Sequence, residues 1–117
     1  MSRSLISLLC LTLSACAWSP ETRVEEGVYQ ALGAIDIVQS MKLARREDRY
    51  YEAAPLCSAI IGPRPTARQE LAYGLGRAGL HALITNALRD GWQRRVWEGV
   101  AIANEGYWVQ LNYRIGL

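Results

Sequence analysis

Phenylalanine is absent from this 117-residue chain, histidine occurs once and cysteine three times. Two of the cysteines, Cys10 and Cys16, fall at the N-terminus, which leaves Cys57 as the sole thiol of the remaining chain. That usage excludes a disulfide scaffold. No CxxC pair and no Cys/His cluster has metal-ligand spacing, so the expectation is no zinc or other metal site and no cofactor. Cys57, between Leu56 and Ser58, reads as a small buried hydrophobe rather than a nucleophile. Neither sign of charge dominates: 13 Lys and Arg stand against 11 Asp and Glu, interleaved, for a net +2. No basic patch is large enough to point to nucleic acid. Long apolar runs are also missing after the N-terminal segment. The longest uncharged stretches are 53–63 and 78–88, short of the 18 or so apolar residues of a simple membrane span. No alternating run of β-branched residues suggests a sheet. Gly74-Leu75-Gly76 followed by Gly79 has the form G-x-G-x-x-G, but no strand precedes it and it lies within a helical stretch, so a dinucleotide loop is excluded.

What the chain does have begins at its start. Arg3 precedes an apolar run from Leu5 to Leu13, and the small residues Ser14 and Ala15 lead into Cys16. A basic start, a short apolar core and a small-residue exit are the parts of a secretory signal. Leu13-Ser14-Ala15-Cys16 resembles the lipobox of bacterial lipoproteins, in which the cysteine sulfur carries a diacylglycerol and the chain is cut just before it. The resemblance implies lipidation at Cys16, with residues 1–15 as signal peptide, 16–24 as lipidated tether and 25–117 as a helical membrane-associated domain. An uncut signal anchor and ordinary cleavage are the competing readings of the same segment. Lipidation has a definite physical effect: each buried methylene contributes about 0.8 kcal/mol, so two or three acyl chains hold the N-terminus to a membrane.

The body of the chain reads as all-α, a small bundle of three long helices plus a short apolar segment. Ser19 as N-cap, Pro20 at the first helical position and Glu21 in the first turn open a helix that should run to about Arg46. A charged run at 45–49 and Tyr50-Tyr51 follow, then the apolar segment 53–61. Gly62-Pro63-Arg64-Pro65 breaks the chain. Thr66 with Gln69 three residues on has the form of a capping box, opening a second long helix to about Leu88. Asp90-Gly91 makes a turn, and a third helix runs from about Trp92 to Asn112.

Each long helix carries a narrow polar line when its residues are set 100° apart. In the first, Tyr29, Leu32, Gly33, Asp36, Gln39, Ser40 and Leu43 share a side. In the second, Gly74, Arg77, Ala78, His81, Thr85 and Leu88 cluster, among small residues spaced for close helix approach. In the third, Glu98, Glu105 and Asn112 recur at intervals of seven. A mid-helix Asp in an apolar stretch is costly unless solvated or paired. Two arrangements satisfy that constraint. The lines face water, as in amphipathic helices, or they face each other, so that Arg77 and His81 meet Asp36, Glu98 and Glu105 with Asn112 beside them. The second makes these six residues a buried polar network.

Asp36-Ile37-Val38-Gln39-Ser40, Glu52 with Pro55-Leu56, Ile61-Gly62-Pro63-Arg64-Pro65, His81-Ala82-Leu83-Ile84 and Asn112-Tyr113-Arg114-Ile115-Gly116 occur in that order. Over about residues 25–117 this resembles a group of small, uncharacterised helical membrane proteins of bacteria and phages. Their pattern is roughly D-x-x-Q-T, E-x-N-P-L-x-G-x-x-P, a helix with H-A, and a terminal N-Y-x-I-G. The resemblance implies a compact bundle of hydrophobic helices and no settled activity. Ala54 stands where that pattern has Asn, and Cys57–Ile60 are extra between Pro55-Leu56 and the glycine. The expectation is therefore a lipid-anchored envelope protein of the cell or outer membrane, with its domain exported from the cytoplasm. Its partners would be membrane lipid and another envelope protein, and its role structural or recognition, without enzymatic activity. The rivals are a phage-encoded envelope lipoprotein for lysis or superinfection exclusion, and an intramembrane or interfacial enzyme using His81 with a carboxylate.

Overall fold

The computed structural model describes residues 17–46 and 53–117. The lipobox with Cys16, and the charged stretch 47–52, lie outside the described residues. Among the described residues there are four helices and no strand: α1 (Pro20–Ala44), α2 (Pro55–Ile61), α3 (Ala67–Ala87) and α4 (Trp92–Arg114). The fold is an all-α small bundle.

Local chemistry sets the helix ends. The Ser19 side chain accepts from the Thr22 amide at 3.2 Å, and Pro20, which has no amide hydrogen to satisfy, opens α1. Thr66 and Gln69 cap each other's amides reciprocally at the start of α3. Between α3 and α4 the chain reverses at Gly91, whose φ of +118° excludes most side chains, and whose amide donates to the Asp90 carboxylate. α4 continues two residues beyond Asn112 to Arg114, and the chain ends in a turn at Gly116. The folded part starts before residue 25: Trp18 and Thr22 are buried and α1 begins at Pro20, so residues 17–24 belong to the bundle rather than to a tether.

α1 is the central element and packs on both α3 and α4. Contacts from Glu25 to Arg95, Gln39 to Val109 and Arg46 to Gly116 make α1 and α4 parallel. Contacts from Glu26 to Thr85 and Asp36 to Arg77 make α3 antiparallel to both. The short α2 leans on α3, with Cys57 buried against Glu70.

The interior is polar and the exterior apolar. Buried side chains include Glu26, Gln39, Glu70, His81, Thr85, Glu98 and Glu105, whereas the buried apolar side chains among the described residues are Trp18, Tyr29, Leu43, Cys57 and Pro65. Exposed side chains include Val28, Ile35 and Val38 on α1, Leu75, Leu80 and Leu83 on α3, and Val96 and Val100 on α4. Every exposed residue within 27–41, 71–87 and 96–113 is uncharged. Exposed charges gather at the two ends of the bundle, at Glu21, Arg23, Arg89, Asp90 and Arg95, and at Lys42, Arg45, Arg46, Arg68 and Arg114. No helix among the described residues is long and apolar enough by itself to cross a membrane.

Gly74 sets the approach of α3 to α1. A β-carbon there would stand 2.3 Å from Ile37 Cγ1. Gly76, two residues on, faces open space. Gly74→Val is expected to lower stability by about 2 kcal/mol through overpacking, and Gly76→Ala to raise it by up to about 1 kcal/mol through helix propensity. Thermal unfolding of the two variants checks the opposite signs.

Candidate functional site

Two polar clusters fill the space between the three long helices. The first lies toward the Asp90–Gly91 end. Glu26 of α1, His81 and Thr85 of α3, and Trp97 and Glu98 of α4 supply it, and all but the half-buried Trp97 are buried. His81 Nδ1 is 3.0 Å from Glu26 Oε2, and the Thr85 hydroxyl is 3.0 Å from Glu26 Oε2 and 2.9 Å from Glu98 Oε1. Trp97 Nε1 donates to the Thr85 oxygen at 3.0 Å, and Gln30 Nε2 donates to Glu26 Oε1 at 2.7 Å. The imidazole is held between two rings, stacked on Tyr29 at 3.6 Å between centroids and on Trp97 at 4.8 Å.

Hydrogen counting fixes the protonation of this cluster. Thr85 has one hydroxyl hydrogen and two carboxyl oxygens within bonding distance. Both contacts are satisfied only when one carboxyl carries a proton and donates it. Burial and the neighbouring Glu26 push Glu98 up to about 8, so Glu98 is the protonated partner at neutral pH. Burial works in the same direction on Glu26, but hydrogen bonds with His81, Glu98 and Gln30 outweigh it and hold Glu26 at about 2. Glu98 donates to the Thr85 oxygen, and the Thr85 hydroxyl in turn donates to an ionised Glu26.

The second cluster lies about two turns away. Arg77 of α3 reaches between Asp36 of α1, 3.3 Å from its Oδ2, and Glu105 of α4, to which its Nη1 donates. Asn112 Nδ2 donates to Asp36 Oδ1 at 3.3 Å. The guanidinium lies beside Gly33, 3.8 Å from where a β-carbon would stand, an ordinary contact distance. Burial opposes the Arg77 charge, but the carboxylates of Glu105 and Asp36 outweigh it and raise its pKa. Burial also raises Glu105, against the pull of Arg77. Tyr29, between the two clusters, is pushed up to about 12 by burial and stays neutral. Beside this cluster is a cavity of about 320 Å³, walled in part by Asp36, Glu70, Tyr73, Arg77 and Trp108.

The polar lines of the three helices thus face each other. Asp36, Arg77, Glu105 and Asn112 form one connected set, and His81 and Glu98 lie in the other, their nearest atoms 3.8 Å apart. His81 does not reach Asp36; its carboxylate partner is Glu26, which the sequence reading did not single out. Glu26 sits among the charged residues Glu21, Arg23 and Glu25, where it looks like one more solvated side chain. A helical wheel finds it, because Glu26 is one turn from Tyr29 and two from Gly33 on the inward stripe. Metal-ligand spacing rules also pass over Glu26, His81 and Glu98, since the three come from three helices. In the folded chain their ligand-type atoms all lie within 4.8 Å of one another.

Two variants test these clusters. Arg77→Gln leaves two facing carboxylates without their cation and is expected to cost about 3 kcal/mol; adding Glu105→Gln should recover part of that loss, as a double-mutant cycle by denaturant unfolding would register. Glu98, raised from 4.5 to about 8, keeps its proton in the folded state while the unfolded chain loses it, so its contribution to stability falls as pH rises through that window. Glu26, lowered to about 2, contributes stability that is present above pH 4.5 and lost as pH falls toward 2. Glu98→Gln should therefore fold and flatten the decline in melting temperature between pH 5 and 8; an unchanged slope would contradict the assignment.

Comparison of the chain with protein-family models, with curated proteins and with solved structures finds no match.

Proposed function

We propose that this protein is a lipid-anchored, membrane-associated envelope protein with a structural or protein-interaction role and no enzymatic activity. The observation that carries the reading is the reversal of polarity across the bundle. Between the charged ends of the bundle the outward faces of α1, α3 and α4 are uncharged and rich in Val, Leu and Ile, and the ionisable side chains between the helices point inward in two clusters. Soluble monomers rarely expose apolar surface on this scale, and such surface marks a membrane or a protein interface. A partner protein would cover one side, whereas the apolar surface here runs round all three long helices. Lipid covers it from every side.

The lipobox-like Leu13-Ser14-Ala15-Cys16 supports the same reading from the other end of the chain. An acylated Cys16 would stand two residues before the buried Trp18, so its acyl chains would enter the membrane next to the bundle itself. The packing around His81 supports a structural role for the polar core. The imidazole is covered by Tyr29 and Trp97, and both carboxylates beside it are buried.

Intact mass of the protein extracted from bacterial membranes tests the anchor. The expected mass corresponds to loss of residues 1–15 and gain of acyl chains at Cys16, and both changes disappear in Cys16→Ser. An unmodified full-length mass for the wild-type chain would overturn it.

A further inference from the structure

We infer that Glu26, His81 and Glu98 form a binding site for one divalent transition-metal cation, with zinc the best fit. The three residues come from three different helices, and one atom of each lies within 4.8 Å of the others. His81 Nε2 and Glu98 Oε2 are buried and have no hydrogen-bond partner among the described residues. They face each other across 3.8 Å, too far for a hydrogen bond. A tetrahedral zinc with ligands at about 2.1 Å separates neighbouring ligand atoms by about 3.4 Å. Closing His81 Nε2 and Glu98 Oε2 onto one cation therefore takes a few tenths of an ångström, and bringing in Glu26, whose ligand atom lies within 4.8 Å of the other two, takes a side-chain shift of up to about 1.4 Å. Binding expels the Glu98 proton to solvent; the two carboxylates, a neutral imidazole and a divalent cation then sum to zero charge, which a buried site requires. Imidazole with carboxylate oxygen is a donor set suited to zinc and its neighbours rather than to the all-oxygen preference of magnesium or calcium.

The surroundings are arranged as supports for ligands. Tyr29 and Trp97 fix the plane of the His81 ring from both faces. Trp97 Nε1 holds the Thr85 oxygen, and the Thr85 hydroxyl touches both carboxyls, so the carboxyl orientations are set from outside the cluster. Above the cluster, at the same end of the bundle, opens a polar cleft of about 320 Å³ lined by Glu21, Glu25 and Asp90 against a single cation, Arg95. Its floor includes Thr22, one helical turn from Glu26. The excess of carboxylates there draws cations toward the site.

The test uses the full protein in detergent, stripped with a chelator and then titrated with zinc chloride alone by calorimetry. Metal content is read by elemental mass spectrometry, and magnesium and calcium serve as comparisons. One zinc per chain is expected, with a melting temperature that rises with zinc concentration. Glu98→Gln, which keeps the shape of the side chain, is expected to weaken zinc at least about tenfold, as is His81→Gln. Glu26→Gln provides a third ligand variant if His81→Gln fails to fold. Cys57→Ser should leave zinc affinity unchanged. Absence of zinc uptake, unaltered affinity in Glu98→Gln, or magnesium binding as tight as zinc would overturn the assignment. Loss of zinc in Cys57→Ser would overturn it as well, by moving the metal to Cys57 and Glu70, whose side chains lie 3.8 Å apart.

Discussion

The placement of Arg77 between Asp36 and Glu105 is the interaction on which the rest of the structure depends. It joins all three long helices through one side chain. A buried charge without a partner costs several kcal/mol, so once Asp36 is committed to the interior of α1 a cation must reach it from a neighbour. Arg77 can reach both carboxylates because its fork of donors has two usable edges. The register of α3 against α1, and of α4 against α1, follows from that reach. With the register set, Glu26, His81, Thr85 and Glu98 arrive at one level, two turns away, and Gln39 arrives at the carbonyl of Val109.

A polar interior changes what the outside must do. The bundle buries few large apolar side chains, and the Val, Leu and Ile residues that usually drive helices together lie on its surface. In water such an exterior would favour association or collapse into another arrangement. Against lipid the same exterior carries no penalty, and the polar interior supplies the specificity of packing. Close approach then depends on small residues. Gly74 is one such position, since a β-carbon there would stand 2.3 Å from Ile37 Cγ1.

Much of this was legible in the sequence, for a physical reason. Helix ends are local: Ser19 before Pro20, Thr66 before Gln69 and Asp90 before Gly91 act within a turn of themselves, and all three stand where their side chains imply. The polar lines were also visible, because helical periodicity is a property of one segment at a time. Their direction was not. A line such as Glu98, Glu105 and Asn112 has the same period whether it faces water or a neighbouring helix, and only the sum over three helices decides. Glu26 shows the same limit. Its partner His81 is 55 residues away, and only its place on the inward stripe, one turn from Tyr29, separates it from the acids around it. Glu70, buried against Cys57 near the start of α3, was hidden in the same way by its resemblance to an ordinary first-turn acid.

The central claim is that polarity runs from a charged interior to a lipid-covered exterior. Nitroxide labels placed one at a time at Leu75 and Val100, in the protein reconstituted into phospholipid vesicles, measure it most directly. Collision with oxygen, which concentrates among acyl chains, is compared with collision with a water-soluble nickel chelate. The account predicts high oxygen and low nickel accessibility at both positions. Strong nickel accessibility at Leu75 and Val100 would place the apolar face in water and contradict it.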